Sequence, residues 1–392
     1  MLYLDNAATT FPKPRSVLAA MRDCCAKYCG NPGRAGHLLS LRAGETVYAC
    51  REALAGFFGS DRPENVVFTL NATGALNLAV KGLAEAGDHI LISDLEHNAV
   101  RRPVAALSRR GVHYDVFPSY ACDPDRNDER ILEGIRCALR PETRMLVCTH
   151  ASNICSLTMP IGKIGALCRE RGILFIVDAA QSAGHLPIDM ERMGIDVLCA
   201  PGHKGLLGGQ GCGFLILRDG VRPATLTEGG SGVDSVPAEM PEDAPERYEA
   251  GTLPLPAIAG LLAGVRYIRD IGQETVREHL TGWNAGLRER LLSLPGVEIL
   301  APEAEGAILL FRCAGIPSER IGAELNRRGI CVRAGLHCAP LAHETLGTMP
   351  DGAVRISPGI FNRASDADRV YQAMREILKS EQAESVQSGF PS

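Results

Sequence analysis

Between residues 65 and 218 the chain alternates short, almost wholly apolar runs with longer mixed stretches. The runs at 65–70 (NVVFTL), 89–94 (HILISD), 144–150 (RMLVCTH), 173–178 (ILFIVD), 197–200 (VLCA) and 212–218 (CGFLILR) are of strand length. Their near-continuous apolarity predicts strands covered on both faces. Between them, residues 74–86 place Leu76, Ala79, Val80 and Leu83 at i, i+3, i+4 and i+7, one apolar stripe for a helix lying on a sheet. Strands alternating with such helices predict an α/β layer with a mostly parallel sheet.

The rhythm stops at residues 228–251, which are rich in Gly, Pro and acidic side chains and read as a long loop. From residue 255 come long helical patterns, then a strand near 307–311, a helix near 318–328 and short strands near 331–333 and 353–357, a smaller α+β domain. The expected division is a large domain over 16–252, a small domain formed by 1–15 and 253–380, and a flexible tail over 381–392; 392 residues suit two or three domains.

A formal charge of −5 is small and of the wrong sign for a nucleic-acid surface. The first residues show no basic segment followed by an apolar run, and no stretch approaches the roughly 20 apolar residues that span a bilayer, so the expectation is a cytoplasmic protein with no membrane partner. The 14 cysteines are scattered through apolar segments rather than spaced as a disulfide framework, and read as reduced packing residues. Cys24, Cys25 and Cys29 cluster, but with no CxxC pair or adjacent His they make a poor zinc site.

Ligands of open α/β sheets sit beyond the carboxyl ends of the strands. Asn71-Ala72-Thr73-Gly74 follows the first run and opens a helix, so its amides and the Thr73 hydroxyl suit a phosphate or serve simply as a cap. His97 follows the second run, where a ligand-facing and a structural role are both open. Asp178 ends the fourth run, where a buried carboxylate either caps a turn or meets a cation; a pyridinium nitrogen would be a fitting one. Lys204 follows the fifth run, with a glycine-rich loop behind it, and is either a surface charge or a Schiff-base lysine whose amine burial deprotonates.

The motifs LDNAATT, NATGALN, LEHN, HASN, VDAAQ, GHK, EAGT and RAGLHCA occur in this order from Asp5 to about Asn362. The set resembles the cysteine desulfurase branch of the class V aminotransferase-like family. That resemblance implies the type I pyridoxal-phosphate fold, with a large domain around a mostly parallel mixed sheet and a smaller α+β C-terminal domain, working as a homodimer with pyridoxal 5'-phosphate. It implies that Lys204 holds the cofactor, Asp178 pairs with its ring nitrogen, Gln181 bonds the ring oxygen and His97 stacks on the ring. Ala72, Thr73 and His203 would bind the phosphate, joined by Thr252 of the partner subunit, while Asn153 would touch the ring oxygen and the substrate carboxylate.

The C-terminal domain must choose among the reactions such a cofactor permits. In Arg333-Ala334-Gly335-Leu336-His337-Cys338-Ala339 a cysteine follows a Gly-containing turn between an Arg and a His, and a cation beside a thiol favours the nucleophilic thiolate. The heptapeptide resembles the desulfurase motif Arg-x-Gly-His-His-Cys-Ala, with Leu336 in place of the first His. Arg355, in VRIS, matches the family's substrate-carboxylate arginine, whose planar fork suits a carboxylate. The resemblance therefore implies conversion of L-cysteine to L-alanine, with sulfur left on Cys338 as a persulfide for a protein acceptor and His97 moving protons. Selenocysteine lyase, another class V transaminase or epimerase, and a non-catalytic sulfur-transfer partner are the alternatives. Three further departures from the family stand out: Pro201 replaces a phosphate-binding Ser, the loop after Lys204 is one residue longer before its final glycine, and Leu253 to Pro256 lack polar residues after Thr252.

Overall fold

The first strand, β1 (Leu2–Tyr3), pairs in parallel with β11 (Ile330–Cys331), so the N-terminus belongs with the C-terminal part of the fold. The computed structural model describes residues 1–33 and 36–387. Two helices follow, α1 (Arg15–Lys27) and α2 (Leu38–Phe57), and then the large layer begins. Its strands are β2 (Val66–Thr69), β3 (His89–Ser93), β4 (His113–Phe117), β5 (Thr143–Thr149), β6 (Leu174–Asp178), β7 (Val197–Pro201) and β8 (Gly213–Leu217). They lie in the order β2-β8-β7-β6-β5-β3-β4, connected by α3 (Ala72–Leu83), α4 (Asn98–Ser108), α5 (Asp128–Ala138) and α6 (Ile161–Arg171).

The six runs expected as strands are all strands, and the seven-stranded sheet is mixed as well as mostly parallel. Only β8 runs against its neighbours, pairing antiparallel with both β2 and β7. The reversal occurs twice, so β2 points the same way as β7, and the carboxyl ends of β2, β3, β5, β6 and β7 meet at one edge. Successive side chains point to opposite faces: Leu91 and Phe175 join one core cluster, Ile92 and Ile176 the other. This double burial is the cause of the unbroken apolar runs. The edge strand β4 buries only Phe117 fully, with Val116 exposed, and its sequence HYDVF carries too weak an apolar signal to mark it as a strand.

No helix or strand occurs between Leu217 and Leu255. Beyond the loop, α7 (Leu255–Ile271) packs on α1 and α2, and its Leu255, Ile258, Leu261, Val265 and Ile268 belong to the core on one face of the large sheet. The long α8 (Gln273–Leu292), with α9 (Ser318–Arg327) and α11 (Ala364–Gln387), covers an antiparallel sheet. Its strands are β9 (Val297–Leu300), β10 (Leu309–Cys313), β12 (Arg333–Gly335) and β13 (Ala353–Ile356), in the order β12-β13-β10-β9. Between β12 and β13 lies the short α10 (Pro340–Thr345). Residues 381–387, expected in the tail, are the last turns of α11, and Glu381 pairs with Arg320 at 2.6 Å; residues 388–392 lie outside the described residues. Among the described residues no helix is long and apolar enough to cross a membrane.

Candidate active site

The carboxyl edge of the large sheet gathers the residues expected from the sequence. Asn71 caps α3, its side chain accepting from Gly74 N at 2.9 Å. The helix therefore starts at Ala72, not at residue 74, and Ala72 and Thr73 supply amides that a first turn leaves unpaired. Gly213 makes room for this turn: a Cβ there would stand 2.4 Å from the Asn71 carbonyl carbon and 2.8 Å from Ala72 N. Pro201, the last residue of β7, pairs with Gly213.

Asp178 ends β6 and is 3% exposed, with one carboxylate oxygen accepting from Ala180 N at 2.9 Å. Burial pushes its carboxyl upward, and the Lys204 cation acts in the opposite direction. The Lys204 amine is lowered to about 8 by burial, against the pull of Asp178, and no hydrogen bond contributes to that balance. A buried lysine that is neutral in part near physiological pH is the chemical requirement for imine chemistry.

A strap formed by residues 5–13 runs over this edge, which the sequence pattern did not reveal. Gln181 Nε2 donates to Ala7 O at 2.9 Å, and the His203 ring nitrogen Nδ1 lies 3.0 Å from Thr9 Oγ1. Lys13 Nζ donates to His203 O at 2.7 Å, and burial lowers its amine to about 8. Asp5 accepts from Arg355 at 2.7 Å. Arg355, 1% exposed, also donates to Asn153 O at 2.8 Å. Of the five N–H donors of a guanidinium these bonds use one from each terminal nitrogen. Its Nε is buried without a partner, as is Asn153 Oδ1. Unpaired buried polar atoms are costly unless a ligand completes them, and here one donor and one acceptor stand unpaired on two residues that are bonded to each other.

Cys338 is exposed on a tight turn between β12 and α10. Ala339 N donates to Leu336 O at 2.9 Å, while His337 and Cys338 stand at φ 50° and 58°, the two left-handed central positions of a type I′ turn. Each costs a non-glycine residue roughly 1–2 kcal/mol. Two bonds to the large layer offset this: Asn98 N donates to Cys338 O at 2.8 Å, and Asn153 Nδ2 donates to His337 O at 2.9 Å. Arg333 stands 3.5 Å from the Cys338 sulfur, and its strand position faces Arg355. His97 caps α4 through Nδ1, which accepts from Ala99 N at 3.0 Å, so the neutral ring carries its proton on Nε2. Burial, then the Lys204 charge, lowers this imidazole to about 4. Of the expected residues only Thr252 stands apart: it is exposed, just after Gly251 at φ 96°, with no hydrogen bond to the others.

Glu96, in the LEHN motif, was missed as a site residue because one acidic side chain beside a His carries no distinctive pattern. It is fully buried, and its Oε1 accepts from the Ser93 hydroxyl and from Thr149 N at 2.7 Å, while Oε2 has no partner. Thr149 is the cross-strand partner of Asp178. Burial raises the Glu96 carboxyl to about 8, and nearby Asp178 adds to the rise. A raised acid holds its proton in the folded state where the unfolded chain has lost it, so stability falls as pH climbs from about 4.5 through about 8. Glu96→Gln, which keeps the acceptor, is expected to be roughly 2–4 kcal/mol more stable than the wild type at about pH 8 and nearly equal to it at about pH 5. Urea unfolding at the two pH values checks this; equal stability at both would contradict a protonated Glu96.

A sequence profile of the family Aminotransferase class-V matches residues 2–370. A "Probable cysteine desulfurase" from Methanothermobacter thermautotrophicus is 33% identical, covering 96% of this chain and 94% of that protein. A protein of the same description from Aeropyrum pernix is 34% identical over 96% and 94%. Among solved structures, an apo cysteine desulfurase from Thermococcus onnurineus superposes with a TM-score of 0.88 at 28% identity, covering 97% and 95% of the two chains. The cysteine desulfurase CsdA from Escherichia coli gives 0.86 at 25% identity, covering 96% and 94%.

Proposed function

Because the chain belongs to the class-V aminotransferase family, with the type I pyridoxal-phosphate fold, we propose that it is a cysteine desulfurase acting on L-cysteine, with Cys338 as the sulfur-accepting nucleophile. The observation that carries this reading is the hydrogen-bonded web that fastens an exposed cysteine turn, through Asn98 and Asn153, onto the strand ends that hold Lys204 and Asp178.

The polar groups present fit pyridoxal 5'-phosphate: a partly neutral buried amine, a buried carboxylate, unpaired first-turn amides, and the unsatisfied acceptor Asn153 Oδ1. When bound, the cofactor supplies an electron sink for the substrate's Cα carbanion. Lys204 would hold it covalently, Asp178 would keep its ring nitrogen protonated, Gln181 and Asn153 would bond the ring oxygen, and His97 would lie against the ring. Ala72, Thr73 and His203 would hold the phosphate together with Thr252 of the partner subunit.

Arg355 receives the substrate carboxylate on donors left free by Asp5 and Asn153. With its amine free, Lys204 would take the proton from the substrate Cα. The Cys338 sulfur then attacks the substrate sulfur: an S–S bond forms, the C–S bond breaks, and its electron pair returns to the carbon skeleton. Protonation of that carbon, with His97 moving the proton, and return of the Cα proton from Lys204 yield L-alanine, and Cys338 keeps the persulfide for transfer to a protein acceptor. Cysteine and one thiol become alanine and one persulfide, so no outside oxidant is needed. The test is an assay of alanine and sulfide from L-cysteine with added thiol. Equal amounts of the two are expected; pyruvate and ammonia in place of alanine, or a new amino acid by transamination with no sulfide, would contradict the reading.

The chain is also proposed to act as a homodimer. Leu38, Leu39, Leu41 and Tyr48 leave apolar surface exposed along α2, and Val233 and Val236 do so on the long loop that ends at Thr252. A two-chain mass in sedimentation is expected, and a single-chain mass at micromolar concentration would contradict it. For the domains we propose a boundary near Gly272, between α7 and α8, in place of residue 252, because α7 shares the large core.

A further inference from the structure

We propose that His343 and Thr348 are positioning residues for the sulfur-transfer step, holding through His337 the turn that presents Cys338; the proposal rests on the reading of Cys338 as nucleophile. The two central residues of that turn both occupy left-handed backbone conformations without being glycine, so the turn needs a brace. Its main-chain bonds to Asn98 and Asn153 secure the outer side. On the inner side, the His337 side chain is the first member of a line of three buried polar side chains.

His337 Nε2 lies 3.2 Å from Arg333 O, and His337 Nδ1 lies 3.1 Å from His343 Nε2. His343 Nδ1 lies 2.6 Å from the Thr348 hydroxyl. His337, His343 and Thr348 are 3%, 0% and 4% exposed, and the two rings lie edge to edge, nearly parallel, with centroids 5.3 Å apart and 16° between their planes. Burial lowers both imidazoles, His337 to about 2 and His343 to about 4, so both are neutral.

Neutrality fixes the direction of the chain. A carbonyl only accepts, so His337 Nε2 carries the proton and its Nδ1 must accept. His343 Nε2 must then donate, which leaves His343 Nδ1 to accept the Thr348 hydroxyl proton at 2.6 Å, in preference to the His343 carbonyl, which lies 3.2 Å from the same hydroxyl oxygen. Thr348 is thus the group that selects the His343 tautomer able to hold His337. Without that hydroxyl, His343 can place its proton on Nδ1 and turn a lone pair toward the lone pair of His337, and the brace is lost. The backbone links the same residues: His343 N donates to Ala339 O at 3.1 Å, and Thr348 N donates to His343 O at 2.9 Å.

The test compares Thr348→Val, which removes the hydroxyl at nearly constant shape, with Thr348→Ser, which retains it, in the cofactor-loaded enzyme. Thr348→Val is expected to lower kcat about tenfold, with KM for cysteine and the visible absorbance of bound cofactor unchanged, because displacement of a reacting atom acts on the chemical step. Thr348→Ser is expected to stay within about twofold of the wild type. Iodoacetamide labelling, read by peptide mass, reports the turn without requiring turnover: in Thr348→Val the Cys338 rate should change by at least about threefold while exposed Cys137 on α5 keeps its rate. An unchanged Cys338 labelling rate in Thr348→Val would overturn the brace whether or not the protein is a desulfurase. Equal impairment of Thr348→Ser and Thr348→Val, or loss of kcat in proportion to lost cofactor, would overturn it in favour of a packing role. Wild-type turnover in Cys338→Ala would instead remove the underlying reading of the nucleophile.

Discussion

Lys204→Ala is expected to abolish both covalent cofactor attachment and turnover, with cysteine consumption falling by a factor of about 1,000 or more. A positioned general base alone contributes about 100- to 10,000-fold, and this residue is proposed to anchor the cofactor as well. The physical basis is the environment of the amine. Burial lowers it to about 8, Asp178 opposes that fall, and no hydrogen bond holds the proton in place. The sign of the pH effect follows: a lysine captures an aldehyde only as the neutral amine, so the rate at which cofactor-free protein captures pyridoxal 5'-phosphate should rise with pH and level off above about 8. Stopped-flow absorbance measures that rate. A capture rate independent of pH between about 6 and 9, or cofactor absorbance that survives Lys204→Ala, would contradict the assignment.

Much of this environment is legible in the sequence because the large sheet writes itself plainly. A strand buried on both faces must be apolar at nearly every position, so the first polar residue after it marks the functional edge. Asp178 is found by that rule, and Thr73, His97 and Lys204 lie within three or four residues of the ends of their runs. The edge strand β4 escapes it because Tyr114, Asp115 and Val116 are not fully covered, and an edge imposes little on its sequence. The start of α3 is placed two residues late because Ala72 and Thr73 read as loop until the Asn71 side chain is seen to cap Gly74. More fundamentally, periodicity does not show contacts between residues 150 or 350 positions apart. The Asp5–Arg355 pair depends on the N-terminal segment joining the C-terminal part, the bond from Asn153 to the cysteine turn depends on how the small antiparallel sheet docks on the large one, and the alignment of His343 with His337, six positions apart, depends on the path of the chain from the turn into α10. Each of these residues has an ordinary role when read alone.

Cys338→Ala is expected to have the second large effect, and of a different kind: no sulfide and no alanine, but cofactor absorbance like that of the wild type. The cysteine side chain is exposed and lies outside all three hydrophobic cores, so its removal leaves no cavity and costs little stability. The two main-chain bonds that hold the turn use backbone carbonyls, which alanine retains. What alanine lacks is only the sulfur, placed 3.5 Å from Arg333. The contrast between the variants therefore separates cofactor holding, assigned to Lys204, from sulfur acceptance, assigned to Cys338. Loss of cofactor absorbance in Cys338→Ala would merge the two roles, and sulfide release at the wild-type rate would assign the sulfur step elsewhere.

The most direct measurement is mass spectrometry of the cofactor-loaded protein after a brief exposure to L-cysteine without reductant, with free thiols and persulfides blocked before digestion. The account predicts a single extra sulfur atom on the peptide that contains Cys338, formed in step with one alanine per chain. A persulfide on another of the 14 cysteines, with the Cys338 peptide unmodified, would contradict it.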